Sequence, residues 1–267
     1  MTAAAATLPD LNFATDWLAL REPADRAARA KGLMAAAAGA ARARSGKPCI
    51  VDLGAGTGAL MRAMAGTLPF GTGWRLVDQD AAHLAEAALQ PVAPITTVRA
   101  DLTDLDALPL DRADLVVTSA FLDLVSEAWV HGLAARLAAA RLGFYASLSY
   151  DGALAWTPRL PEDAKIAAAL NTDQKRDKGF GPALGPGAVR VTSAAFRDQG
   201  YVVRLKHSPW ILGPSGAEGQ LQAAFLDGVD AAVGSAAPGW AAKRRGHAGT
   251  LRVGHLDLLA LPPGAAQ

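Results

Sequence analysis

The sequence predicts an α/β fold, a doubly wound parallel sheet with helices on both faces. Three observations carry this. Short apolar runs of strand length alternate with segments of helical periodicity between about Cys49 and Tyr150. The first run passes directly into a turn with three glycines in five positions, Gly54-Ala55-Gly56-Thr57-Gly58, and then into a helix. Polar residues, carboxylates above all, fall at the ends of successive runs, where open parallel sheets bind their ligands.

Composition narrows the setting. A chain of 267 residues fits one large α/β domain. It divides into N-terminal helices at 10–44, a core at 45–150, a loop-rich insertion at 151–188 and the rest of the sheet at 189–267. Lys plus Arg number 26 against 25 Asp plus Glu, so net charge gives no case for nucleic acid. The single cysteine, Cys49, excludes an intramolecular disulfide and reads as a small core residue. Met1 to Pro9 lacks the basic and apolar regions of a secretory signal. No apolar run approaches the ~20 residues of a membrane span. The expectation is a cytoplasmic protein, monomer or homodimer, with no membrane or nucleic-acid partner.

Taken in order, residues 1–9 are small and expected to fray. Asp10 to Arg44 is helical in two pieces. The first carries Leu11, Phe13, Trp17, Leu18 and Leu20, and Pro23 suits the first turn of the second. Arg26, Arg29, Lys31, Arg42 and Arg44 read as a solvated face. Trp17, Arg21 and Glu22 stand just before the expected break, where they can fold over a bound molecule. Ile50, Val51 and Leu53 belong to the first strand, and Leu60, Met61, Met64 and Leu68 recur at helical spacing behind Thr57 as cap. Trp74 to Asp78 reads as the second strand, with Asp80 capping a helix over Ala81 to Leu89. Asp78 lies 20 residues past Gly58, where an acidic residue accepts ribose hydroxyls in nucleoside sites. Ile95 to Ala100 is the third strand, ending at Asp101, with Asp104 and Asp106 in a surface loop. Ala113 to Ala120 is the fourth, followed by a helix from Ser126 to Arg141 that buries Trp129, Leu133 and Leu137. Gly143 to Tyr150 is the fifth.

The insertion holds Trp156, a helical piece over Pro161 to Asn171, the charged run Asp173 to Lys178 and a Gly/Pro-rich segment to Gly187. An irregular stretch of this length at a strand end is often functional, and it reads as a lid. Val189 to Gln199 is a helix stopped by Gly200. Tyr201 to Leu205 is the sixth strand, running on to Leu212. Helices at about Ser215 to Val233 and Pro238 to His247 precede a last strand, Leu251 to Leu261. His255 and Asp257 share one face of that strand and read as a satisfied polar pair at a sheet edge.

The glycine turn admits two cofactors. Gly54-x-Gly56-x-x-Ala59 satisfies the dinucleotide pattern. Asp52-Leu53-Gly54-Ala55-Gly56-Thr57-Gly58 also resembles the E/D-x-G-x-G-x-G motif of class I S-adenosylmethionine (SAM) methyltransferases. Charge separates them. A pyrophosphate beside the Asp52 carboxylate is a like-charge contact, whereas SAM carries an ammonium, a sulfonium and no phosphate. The resemblance covers roughly Ala35 to Asp151 by motif and the later strands by topology only.

The resemblance implies a seven-stranded, mostly parallel sheet whose last strand is antiparallel. It implies SAM as cofactor, held by Asp52, Gly54, Ala55, Gly56, Gly58, Asp78, Gln79, Asp101, Leu102, Ser119, Ala120 and Phe121, with Asp101 at the adenine amino group. Methyl transfer places few demands on the protein beyond positioning two molecules, and a base is optional. Asp123, Tyr150, Asp151 and His207 are the candidate bases, and His207 reads equally well as a core or turn residue. Trp17, Arg21, Trp156, Lys175, Arg176 and Lys178 are candidate acceptor contacts, and Lys175, Arg176 and Lys178 suggest an anionic small molecule. The fourth strand ends in Thr118-Ser119-Ala120-Phe121 rather than the motif of enzymes that methylate bases. No metal-ligand spacing occurs. An NAD-dependent oxidoreductase and a catalytically silent methyltransferase-like subunit are the alternatives.

Overall fold

The computed structural model describes residues 14–91 and 94–265, so the expectations for residues 1–13 lie outside the described residues. Five parallel strands form the core of the sheet: β1 (Cys49–Leu53), β2 (Gly73–Asp78), β3 (Ile95–Arg99), β4 (Leu115–Ser119) and β5 (Gly143–Thr157). Three more, β6 (Val202–His207), β7 (Trp210–Leu212) and β8 (Thr250–Leu261), complete it. The order is β3-β2-β1-β4-β5-β8-β6, with β7 also on β8, and β8 runs antiparallel to all three of its partners. The order reverses between β1 and β4, which leaves a crevice above their carboxyl ends.

Alternation along the strands explains the layers. Ile50, Leu76, Val117 and Tyr145 point to one face, where α2 (Lys31–Arg44), α3 (Ala59–Met64) and α4 (Ala81–Ala88) cover them. Val51, Val77, Val116 and Phe144 point to the other, beneath α5 (Glu127–Ala139) and α7 (Ala188–Asp198). A third core lies beyond the carboxyl ends. There α6 (Asp163–Asp173), α8 (Gly216–Val233), α9 (Trp240–Arg245) and the apolar face of α1 (Thr15–Ala28) enclose the end of β5, β7 and part of β8. Among the described residues no helix is long and apolar enough to cross a membrane.

Several expectations change. Pro23 lies inside α1, and the helix breaks at Arg29-Ala30 instead. Tertiary bonds set that break: Arg29 is buried, and the Ala30 N–H donates to Asp257 Oδ2 at 2.9 Å. Arg29 therefore leaves the solvated face assigned to it. Gly58, left-handed at φ 83°, stands at the N-terminus of α3, and Thr57 makes no cap bond. Asp80 caps α4 as expected, and Ser126, expected as the first helical residue, caps α5. Cys49 is only half-buried. The fifth strand runs on to Thr157, because its far half pairs with β8 and absorbs the first residues of the expected insertion. The sixth strand divides at Ser208-Pro209, giving eight strands among the described residues rather than seven.

The last strand is interior, flanked by β5 and β6, so His255 and Asp257 are not at an edge. Asp257 is fully buried and accepts four hydrogen bonds. Oδ1 takes the Leu148 N–H at 2.9 Å and the Ser208 hydroxyl at 2.6 Å, and Oδ2 takes Ala30 N–H and the Tyr145 hydroxyl at 3.0 Å. A carboxylate offers about four lone-pair sites, and this one fills them from three segments, the α1–α2 link, β5 and the β6–β7 corner.

Candidate active site

The glycine turn is tied down by its own backbone. The N–H groups of Gly54 and Ala55 both donate to Val77 O, that of Gly56 to Asp78 Oδ2 at 2.8 Å, and that of Gly58 to Ala55 O. These N–H groups are spent inside the fold, so the turn is not the anion cradle that a pyrophosphate needs. Gly54 combines a φ of 69° with a Phe121 ring 2.9 Å from where a Cβ would sit. Any side chain there is both strained and blocked.

A cleft of about 260 Å³ opens over this turn. Gly54, Ala55, Gly56, Asp52, Asp78, Gln79, Leu102, Ser119, Ala120 and Phe121 line it. Asp78 uses one lone pair on each oxygen, for Gly56 N–H and Asp80 N–H, which fixes the carboxylate and leaves sites for two ribose hydroxyls. Asp101 does not line the cleft. Its Oδ1 turns onto Thr103, accepting from both N–H and hydroxyl, which holds its carboxyl below the usual range. Gly58 serves the turn from behind, against Met61 and Ala87.

Two polar groups at the floor have unfilled valences among the described residues. Asp52 is buried, and neither of its oxygens has a hydrogen-bond partner among the described residues. Burial pushes its carboxyl up to about 8, Arg29 opposing and Asp78 adding to the shift. Arg29 reaches in from the end of α1. Its Nη2 donates to Ser119 Oγ at 2.9 Å, its Nε lies 3.4 Å from Ser147 Oγ, and Nη1 has no partner among the described residues. Ammonium and carboxylate of an amino-acid group match this pair of orphans. The residues therefore fit SAM.

A second cavity, about 280 Å³, adjoins the first, and Arg21, Ala120, Leu124 and Lys178 line both. Ala120 at the seam and Leu148 in the chamber hold φ of 51° and 55°, unusual for residues with a Cβ. Trp17, Tyr150, Trp210, Phe225 and His255 make this chamber aromatic. Arg21 is fixed by Asp25 at 3.0 Å, and its guanidinium lies 5.1 Å from the Trp210 ring centre. Trp210 Nε1 donates to the same Asp25. Asp123 Oδ1 has no partner among the described residues, and burial raises its carboxyl against the pull of Arg21 and Lys178. Tyr150 donates to Asn171 Oδ1 at 2.8 Å, and burial raises its phenol out of reach of neutral pH. His255, driven down to about 3 by burial and the nearby Arg21 and Arg252, is neutral.

Other candidates lie elsewhere. His207 is exposed at the end of β6, 3.9 Å from Asp151, because its strand faces solvent there. Trp156 is buried against Trp240, with Arg244 over its ring. Lys175 and Arg176 are exposed, Arg176 pairing with Asp173. Of Lys175, Arg176 and Lys178, only Lys178 reaches the cavities. Arg29, Trp210, Phe225 and the chamber position of His255 were not anticipated.

No family model matches the sequence, and no curated protein matches it. The fold does match. The YcgJ protein of Bacillus subtilis superposes with a TM-score of 0.52 at 13% identity, over 86% of this chain and 97% of that one. A Bacillus halodurans protein assigned as a methyltransferase gives 0.51 at 13% identity, over 86% and 98%. The fold is that of the class I methyltransferases.

Proposed function

We propose that the chain is a SAM-dependent methyltransferase acting on a small molecule. One observation carries the reading: a cleft built on Asp52, Asp78 and the glycine turn meets an aromatic chamber at Ala120. Two adjoining cavities suit a reaction that needs only two molecules held in line, worth up to about 7–11 kcal/mol. Asp78 holds the ribose, Asp52 the ammonium and Arg29 the carboxylate of the cofactor. Bound there, SAM supplies an electrophilic methyl group. Arg21 and the first turns of α1 close the cleft from above and keep water out.

The N–H groups spent inside the turn disfavour a dinucleotide. Calorimetric titration with SAM, S-adenosylhomocysteine (SAH) and NAD tests this. Micromolar binding of the first two and none of NAD is expected. NAD binding alone would replace the reading with the oxidoreductase, and SAM binding without turnover over a broad acceptor set would favour a silent binding subunit.

A further inference from the structure

The chamber holds three buried polar atoms that lack partners among the described residues: Trp17 Nε1, Asp123 Oδ1 and His255 Nδ1. They come from α1, the segment after β4, and β8. A buried polar group without a partner costs about 1–3 kcal/mol, so these three around one cavity are groups that a bound molecule would satisfy. His255 is 6% exposed, and its ring packs 5.3 Å from Trp210 and 6.4 Å from Tyr150. It is a rigid, uncharged wall rather than a surface histidine.

Charge limits the ligand further. Arg21 is neutralised by Asp25, and Asp227, across the chamber on α8, by Arg245. What is left is Lys178 against Asp123, which sums to zero. An anionic acceptor gains little here, contrary to what Lys175, Arg176 and Lys178 suggest in the sequence. The cavity of about 280 Å³ lies near the low end of ligand pockets, which run to roughly 300–1,000 Å³, so the molecule is compact.

We propose, resting on the methyltransferase reading, that the acceptor is a compact uncharged aromatic hydroxyl compound. Its ring lies among Trp17, Trp210 and Phe225, and its hydroxyl faces Asp123 Oδ1. The acceptor oxygen forms the new bond to the methyl carbon while the sulfur–carbon bond breaks with its electrons left on sulfur. The hydroxyl proton passes to Asp123. Trp17 Nε1–H and His255 Nδ1 bind the remaining polar edge of the molecule.

The base selects the acceptor class. A phenol, with a pKa of about 10, lies within reach of a carboxyl raised by burial, whereas an aliphatic alcohol near water's ~15.7 does not. A carboxylate acceptor needs no base and meets Asp123 as a like charge. An amine attacks through its lone pair before losing a proton, which leaves Asp123 unused. The charged and titratable groups around Asp123 are Arg21 from α1, Lys178 from the insertion, Tyr150 from β5, Asp227 from α8 and His255 from β8.

The test uses one carbon skeleton with four acceptor groups: β-naphthol, β-naphthylamine, β-naphthoate and the saturated alcohol decalol. Each is incubated with the full chain and SAM, and products are read by mass spectrometry. Methylation of β-naphthol on oxygen, in clear preference to the others, is expected. Asp123→Asn should slow it at least about a hundredfold, as loss of a general base does, yet slow para-nitrophenol at ~pH 8, already largely ionised, by less than about fivefold. SAH affinity, measured alongside, should be unchanged in the variant, which separates lost chemistry from lost fold. Intact SAH binding with no naphthol product, with preference for another acceptor group, or with equal losses on both phenols overturns the acceptor class. Failure to bind SAH at all instead overturns the methyltransferase reading beneath it.

Discussion

In the glycine-turn cleft most of the polar groups sit within a few residues of the ends of β1, β2 and β4, and backbone N–H groups fix Asp78 in place. In the aromatic chamber they arrive on α1, β5, β7, α8 and β8, segments far apart in the chain. The cleft is thus defined by local chain geometry, and the chamber by tertiary packing of bulky side chains. One residue serves both. Asp257 ties the link between α1 and α2, the bulge at Leu148 and the corner between β6 and β7 onto β8. Those segments deliver Arg29 to the cleft and Leu148 and Trp210 to the chamber.

The largest effect expected follows from that knot. Asp257→Asn turns one acceptor oxygen into a donor facing two donors, and should lower unfolding stability in urea by at least about 2 kcal/mol. A change under about 0.5 kcal/mol would mean the two cavities do not share this support. Next, Asp78→Ala removes both the ribose contact and the anchor of Gly56. SAH binding should weaken at least about tenfold with the circular dichroism spectrum unchanged. Equal affinity would remove Asp78 from the cleft's function.

Asp52 separates the cavities by pH. Its folded carboxyl is raised to about 8 by burial, so its stabilising share is fully present below the ordinary carboxylate range and lost as pH rises through about 8. Near pH ~9, Asp52→Asn should be more stable than the natural chain by more than ~1.4 kcal/mol, the equivalent of one pKa unit, and near pH ~4 the two should coincide. SAM, whose ammonium favours the ionised carboxylate, should release close to one proton on binding at about neutral pH. Titration in buffers of different ionisation enthalpy reads this, and Asp52→Asn should abolish it. The smallest effect concerns the cover over the cleft. Glu22 on α1 binds Arg62 on α3, whose Nη1 holds Thr57 O at 2.5 Å. Glu22→Gln should speed SAH release about two- to fivefold in stopped-flow measurements, the yield of a partly exposed ion pair.

The same contrast explains what the sequence reveals. The turn Gly54 to Gly58, Asp78 and the Ser119-Ala120-Phe121 strand end are legible because each is a short-range pattern: a strand, an unusual backbone conformation, a carboxylate at fixed distance. Asp101 stays outside the lining of the cleft with its Oδ1 held by the neighbouring Thr103, a local contest that proximity at a strand end does not decide. Arg29 is hidden because its helix is Ala-rich and its partners, Ser119 and Ser147, lie some ninety residues or more away. His255 and Asp257 look like an edge pair until β6 folds back outside β8. The aromatic wall of Trp210 and Phe225 carries no spacing at all, since it depends on how α8 packs over β7.

A crystal structure of the SAH complex tests the central claim most directly. The account predicts ribose hydroxyls on Asp78, the amino-acid end between Asp52 and Arg29, and the sulfur at the Ala120 seam, open toward Asp123. SAH bound with its sulfur turned away from the chamber, or no SAH over the glycine turn, would contradict it.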